Sequence, residues 1–327
     1  MKRLLFVIIF LLAACGSTPS ATATLPPEAT ASQKPVATTI PSAATPAPVT
    51  EITVVDSAGR SVTIPQPVTH VISLAPSTTE IIAALDGLVR ISAVDMYSDY
   101  PAEVVALPKI TNPDMSVNYE QITALAPDVV FAAGITAPDV ITAIEKLGIP
   151  IVVVGAPTAS FASVLKDIAL VGKTLQKDAE ATKLVDTMQS DWQRLSARVA
   201  QITTKPTVFW ELDATDATKP YTIGRDSFVA ELLQAAGGTN VFADVTDAYP
   251  QVSLEQIVVK APETIILADS LWGVTPAAAS ARPGWETIPA IKNQRVFPID
   301  DSLVSRPGPR IVQGLRAVVA ILHPEVK

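Results

Sequence analysis

Residues 160–201 read SFASVLKDIALVGKTLQKDAEATKLVDTMQSDWQRLSARVAQ, and this stretch decides the architecture. Apolar residues fall at Phe161, Val164, Leu165, Ile168, Val171 and Leu175, and again at Leu184, Val185, Met188, Trp192, Leu195 and Val199. Steps of three and four place them on one stripe of an α-helix. Ser160 suits an N-cap, because its hydroxyl can accept from a backbone N–H that the first turn leaves unpaired. No proline interrupts the run before Pro206. Gly172 is tolerable inside a helix at about 1 kcal/mol. The pattern predicts one helix of about 40 residues, which at 1.5 Å per residue spans roughly 60 Å. That exceeds the diameter of a small domain, so the helix is expected to link two bodies.

The flanking sequence supplies the bodies. Before the helix, Ile52–Val55 and Ser61–Ile64 flank Asp56-Ser57-Ala58-Gly59-Arg60 as a hairpin. Short apolar strands are expected at His70–Leu74, Arg90–Val94, Asp128–Ala132 and Ile151–Val154, alternating with helices at Ile81–Leu85, Asn118–Ala126 and Pro138–Leu147. Ser77-Thr78-Thr79-Glu80 has a capping-box pattern, so Ser77 reads as an N-cap and Glu80 as its partner. After the helix, strands at Thr207–Leu212, Glu263–Ala268 and Arg295–Ile299 alternate with helices at Ser227–Ala236, Ser253–Lys260 and Pro309–Leu322. This alternation predicts an α/β protein of two lobes, each a mostly parallel sheet flanked by helices, at residues 51–159 and 203–327 and joined by a backbone helix at 160–202.

One segment occurs twice. Asn118-Tyr119-Glu120-Gln121-Ile122 followed by Ala126-Pro127-Asp128 recurs as Ser253-Leu254-Glu255-Gln256-Ile257 followed by Ala261-Pro262-Glu263. Each copy carries a cap residue, a glutamate in the first turn, a helix, Ala-Pro and an apolar strand. Two related lobes place a ligand most naturally in the cleft between them, at the strand ends.

The chain has 327 residues, a net charge of −8 and no basic patch, which argues against nucleic acid as a partner. Two histidines and one cysteine exclude a Cys/His metal cluster and a disulfide framework, so no metal site or cofactor is expected. His70 and His323 read as structural. There is no Gly-x-Ser-x-Gly elbow, P-loop, His-Glu-x-x-His or dinucleotide-binding glycine pattern, and no catalytic residue is assigned. Lys2 and Arg3 precede an apolar run, Leu4–Leu12, that is too short to span a bilayer. Leu12-Ala13-Ala14-Cys15-Gly16 resembles a lipobox, so residues 1–14 are expected to be a lipoprotein signal peptide and Cys15 the lipidated residue. Residues 15–50, nearly all Ser, Thr, Pro and Ala, read as a disordered tether to an extracytoplasmic bacterial membrane surface.

The first-lobe stretch His70-Val71-Ile72-Ser73-Leu74-Ala75-Pro76-Ser77-Thr78-Thr79-Glu80 resembles the opening motif of substrate-binding proteins of ABC importers for cobalamin, haem and ferric siderophores. Tyr97-Ser98-Asp99-Tyr100-Pro101, Tyr249-Pro250-Gln251-Val252-Ser253 and Ser305-Arg306-Pro307-Gly308-Pro309-Arg310 are similar to that family in the same order. The resemblance covers about residues 51–327. It implies a binding protein, not an enzyme, that captures a metal chelate, a corrinoid first and a ferric siderophore or haem second, and hands it to a permease with its ATPase subunit. The rival reading of the residues is a cell-surface enzyme on a two-lobed scaffold, and the sequence is consistent with a monomer. Tyr97, Tyr221 and Tyr249 match aromatic positions that face the corrin in the vitamin B12 binders. Ala133 stands where those binders have tryptophan, and Ser302-Leu303 replaces an Asp-Trp pair. Trp210, Trp272 and Arg306 are further ligand candidates, the arginine for the anionic groups of a siderophore or of haem. The resemblance also implies that Glu120 and Glu255 dock onto permease arginines; without it, both acids are explained by the helix dipole.

Overall fold

A computed structural model describes residues 50–156 and 158–326. The expected signal peptide, Cys15 and the tether up to residue 49 lie outside the described residues. Among the described residues no helix is long and apolar enough to cross a membrane.

The chain opens with a hairpin, β1 (Thr50–Val55) against β2 (Ser61–Gln66), in which Ile52 faces Ile64. Thr50 is therefore already in a strand, one residue before the expected start of the lobe. The first lobe follows with β3 (Val71–Ser73), α1 (Pro76–Ala84), β4 (Ile91–Val94), α2 (Tyr119–Leu125), β5 (Val129–Ala133), α3 (Pro138–Lys146) and β6 (Ile151–Val154). Its four strands are all parallel, in the order β4-β3-β5-β6. Their side chains alternate between two apolar layers. Val129, Phe131, Val152 and Val154 enter one, and Val130, Ala132, Ile151 and Val153 the other. A strand covered on both faces must be apolar at every position, which is why β5 and β6 read as unbroken apolar runs.

Two helices come next, α4 (Phe161–Leu175) and α5 (Asp178–Val199). The second lobe contains β7 (Thr207–Asp213), β8 (Tyr221–Thr222), α6 (Phe228–Ala235), β9 (Thr239–Asn240), α7 (Leu254–Lys260) and β10 (Thr264–Leu267). It ends with α8 (Pro276–Ser280), α9 (Pro289–Lys292), β11 (Val296–Pro298), α10 (Asp301–Val304) and α11 (Ile311–Leu322). The sheet order is β11-β10-β7-β8, and β9 shares the same edge of β7 as β8. Only β8 runs antiparallel. Val208 and Trp210 of β7 face inward, and Phe209 faces the outer layer with Trp285 and Phe242.

The single helix expected over residues 160–202 is corrected to two. Gln176 adopts the left-handed conformation at φ 55°, and the chain reverses there. The N–H of Lys177 donates to the carbonyl of Gly172 at 2.7 Å and that of Gln176 to Lys173 at 3.3 Å, the paired bonds of a Schellman motif. Phe161 then stacks on Trp192, ring centroids 4.1 Å apart, although 31 positions separate them in sequence. In a continuous helix these rings would lie about 45 Å apart at 1.5 Å per residue. The pair therefore forms an antiparallel hairpin. α4 packs on α1 and β1 of the first lobe, and α5 packs on α11 of the second. The one long helix joining the lobes is α5, and its 22 residues span about 33 Å.

The inner apolar layer is continuous from Val71 and Ile81 through Val171 and Met188 to Trp210 and Leu315. The lobes thus share a core, while each sheet keeps a private outer layer.

The repeated segment is repeated in three dimensions. α2 and α7 have seven residues each, capped by Asn118 and Ser253, whose side chains accept from the N–H of Gln121 and Gln256. Both end on a left-handed alanine, Ala126 at φ 44° and Ala261 at φ 45°. The acid after Ala-Pro pins the neighbouring strand in each lobe. Asp128 accepts from the N–H groups of Thr69 and His70 at 2.6 and 2.9 Å, and Glu263 from Thr207 at 2.8 Å.

Candidate functional site: a cleft between the lobes

A cleft of about 380 Å³ opens where the two lobes face each other. Its first-lobe wall comes from the segments that follow β3, β5 and β6, namely residues 75–77, 133–135 and 154–156, with Asp167 behind them. Asp226, Phe228, Ala248, Tyr249 and the run Ser305-Arg306-Pro307 form the opposite wall. Parallel strands deliver all their C-terminal ends to one edge, so the topology itself assembles this site.

Backbone approaches backbone at the floor. The N–H of Gly134 donates to Val154 at 3.1 Å, and a Cβ on Gly134 would collide with the carbonyl of Gly155, itself at φ +100°. Gly134 therefore admits no side chain unless the loops move apart, whereas Gly155 has room for one and is disfavoured for other residues by its backbone conformation. Asp167 projects from α4 under this floor and is 4% exposed. Its Oδ1 accepts from Ser57 Oγ at 2.6 Å and from the N–H of Gly155 at 3.0 Å. Burial raises its carboxyl above the usual carboxylate range, and the hydrogen bonds offset only part of that.

Tyr249 lines the cleft with about half of its surface exposed. Tyr97 is not among the cleft residues but adjoins one of them, Arg306. Its N–H donates to Asp95 Oδ1 at 2.8 Å, its carbonyl accepts from Arg306 at 3.4 Å, and its ring is exposed. Tyr221 is on the edge strand β8 opposite Gln251, which places it near Tyr249 but outside the cleft lining. Trp210 requires correction. It is completely buried in β7, so it is a core residue and cannot touch a ligand. Trp272 is 80% exposed at the end of a short 3-10 helix, Ala268–Trp272, and is not among the cleft residues. Trp285 is packing, wedged between Phe209 and Arg282.

Arg306 lines the cleft but is already engaged. It donates to Asp99 at 2.6 Å and to Glu80 at 3.2 Å. Arg310 reaches the same Glu80 with two bonds of 2.9 and 2.6 Å and lies 4.1 Å over the ring of Tyr100. Glu80 and Asp99 belong to the first lobe, and both arginines to the second. The reading of Ser77 as N-cap and Glu80 as capping partner is therefore corrected. α1 begins at Pro76 after Ala75, without a side-chain cap, and Glu80 is a buried acid bridging the lobes. Sequence reasoning missed Arg310, Glu80 and Asp167 as site residues. A signal existed for Asp167: it sits between Val164 and Val171 on the apolar stripe of α4, where a charge needs a reason.

Glu120 and Glu255 are both exposed, in the first turns of α2 and α7. Among the described residues no group of His, Cys, Asp and Glu side chains is arranged to hold a metal ion.

Comparison with known proteins agrees with this geometry. Residues 71–303 match the periplasmic binding protein family. An ABC transporter substrate-binding lipoprotein of Bacillus subtilis, YvrC, is 31% identical over 277 residues, covering 84% of this chain and 86% of the relative. A possible iron-binding, periplasmic solute-binding protein of Staphylococcus epidermidis superimposes with a TM-score of 0.68 at 28% identity, over 78% of this chain and 99% of the other. The periplasmic vitamin B12 binding protein BtuF of Vibrio cholerae gives 0.67 at 26% identity, over 80% and 99%.

Proposed function

The chain belongs to the periplasmic binding protein family, and we propose from that premise that it captures a corrinoid between its lobes and delivers it to an ABC permease. It is an ABC-transporter substrate-binding protein, and its relatives include vitamin B12 binders and a possible iron-binding protein. The observation that carries the ligand reading is the cleft itself. It is walled by both lobes, mostly apolar, and has one half-exposed tyrosine, Tyr249, in its wall. A large flat chelate with an apolar rim needs such a surface. The small residues Ala133, Gly134 and Gly155 leave room for the macrocycle at the floor. Tyr97, whose carbonyl meets Arg306, and Tyr221, opposite Gln251, lie outside the lining and would reach the ligand from its rim. A ligand held there touches both lobes, and the shared core limits the motion to a small closure.

Delivery uses Glu120 and Glu255, one exposed acid per lobe at equivalent places in the repeat, presented to two symmetric permease halves. Lipid on Cys15 keeps the protein at the membrane, in keeping with the lipoprotein relative. An iron-chelate ligand is the second reading, favoured by the likeness to the Staphylococcus protein.

Calorimetric titration of the purified protein with cyanocobalamin, haemin and a panel of ferric siderophores tests the assignment. One-to-one binding of cyanocobalamin alone is expected. Binding of a ferric chelate or haemin instead transfers the site to that ligand, and no binding to any of them refutes capture of a metal chelate.

A further inference from the structure

Among the described residues three charged side chains line the cleft: Asp167, Asp226 and Arg306. Two of them have partners of opposite charge. Asp226 pairs with Arg225 at 3.3 Å, and Arg306 is shared between Asp99 and Glu80. Among the described residues Asp167 makes no ion pair, and no cation contributes to its electrostatics. Its Oδ1 is saturated by Ser57 and Gly155, and among the described residues Oδ2 has no hydrogen-bond donor. Oδ2 is not sealed in the core but belongs to a side chain of the cleft lining, so its donor comes from water or from a ligand that displaces it.

We infer that Asp167 is a specificity-determining residue: its Oδ2 accepts a hydrogen bond from an N–H group of the bound ligand and turns away ligands that present carboxylates or other anions. The inference rests on the chelate-binding reading above and narrows it. The one cation in the wall is already neutralised, so an anion entering the cleft meets an unpaired buried acid and no compensating charge. Haem carries two propionates and a ferric tricatecholate carries net negative charge. A corrinoid is rimmed by amides whose N–H groups are donors. The cleft electrostatics therefore select the neutral, amide-bearing chelate.

The geometry gives Asp167→Asn a sharp consequence. Asn Oδ1 can keep the bonds from Ser57 and Gly155, which forces the Nδ2 donor into the place of Oδ2. An acceptor in the cleft becomes a donor. Calorimetric titrations of the wild-type chain and Asp167→Asn with cyanocobalamin, haemin and a ferric tricatecholate read this directly. The expected result is a roughly tenfold weaker hold on cyanocobalamin by the variant and at least a tenfold smaller preference over the anionic chelates, the size of one charge-assisted hydrogen bond. Near-ultraviolet circular dichroism establishes that the variant is folded.

A second arm leaves the protein unchanged. Cyanocobalamin monocarboxylates, each with one peripheral amide hydrolysed, are titrated against the wild type. At least one is expected to bind tenfold or more weakly than the parent. If the wild type binds a chelate but the monocarboxylates match cyanocobalamin and Asp167→Asn leaves the preference within twofold, the role of Asp167 is refuted and the binding reading stands. If the wild type binds none of the probes, the binding reading fails and the inference with it.

Discussion

Glu80 has 1% of its side chain exposed and answers two arginines from the other lobe, so the buried part of the ionic contact between the lobes passes through this carboxylate, with the exposed Asp99 adding a second bond to Arg306. Removing one member of a buried ionic group strands the charges left behind, at about 3–5 kcal/mol. Glu80→Gln is expected to lower stability to urea by about 3 kcal/mol, since Arg306 and Arg310 then face each other without their shared acid. An unchanged midpoint would show that the bridge is solvated in solution.

Asp269 gives a second expectation at this scale. Burial first, and then the nearby Glu211 carboxylate, push it up to about 7. A folded-state value above that of the unfolded chain means the native state holds the extra proton, so stability is greatest below about pH 4 on this account and falls as pH rises toward 7. The slope is at most about 1.4 kcal/mol per pH unit for one proton. Asp269→Asn is expected to flatten this dependence between pH 4 and 7, as followed by thermal melts.

Among elements, the α4–α5 hairpin shows where sequence periodicity stops being informative. The apolar stripe runs unbroken to Leu175 and resumes at Leu184. Periodicity alone cannot tell a continuous helix from two helices that fold back. The turn is made by Gln176, a residue type with no particular preference for the left-handed conformation, so the usual glycine signal was missing. The cue lay instead in Gly172 and in the acids Asp178 and Glu180, which suit the first turn of a new helix. Gln176→Gly is expected to stabilise the protein by about 1 kcal/mol by relieving the left-handed backbone. Gly172→Ala should do the reverse. Helix propensity favours alanine by about 1 kcal/mol, but its methyl would overlap Ala181, and overpacking of this kind costs about 1–3 kcal/mol. Equilibrium unfolding of both variants decides it. A stabilised Gly172→Ala would mean that the helices are further apart than described.

For the whole molecule, the two-lobed α/β plan was legible because each level of the sequence agreed with it. β5 and β6 are apolar at every position, Asn118, Ser160, Ser227 and Ser253 cap the helices they precede, and the repeated Ala-Pro-acid segment marks equivalent places in the two sheets. The site was only partly legible. Tyr249 and Arg306 do line the cleft, because the loop after a parallel strand must emerge at the ligand edge. Trp210 misled because its neighbours Val208 and Phe209 already marked a strand buried on both faces, where an aromatic belongs to the core. Glu80 bridges residues more than 220 positions away, and no local pattern announces such a partner. At this scale the paired acids carry their own expectation. Glu120→Arg with Glu255→Arg should leave chelate affinity unchanged and reduce permease-dependent uptake at least tenfold. Equal loss of both would place these residues in folding instead of docking.

Capture between the lobes is tested most directly by hydrogen–deuterium exchange with and without saturating cyanocobalamin. Slower exchange is expected in both walls at once, at residues 133–135 and 154–156 of the first lobe and at 248–249 and 305–307 of the second. Protection confined to one lobe, or centred on the exposed Trp272, would contradict it.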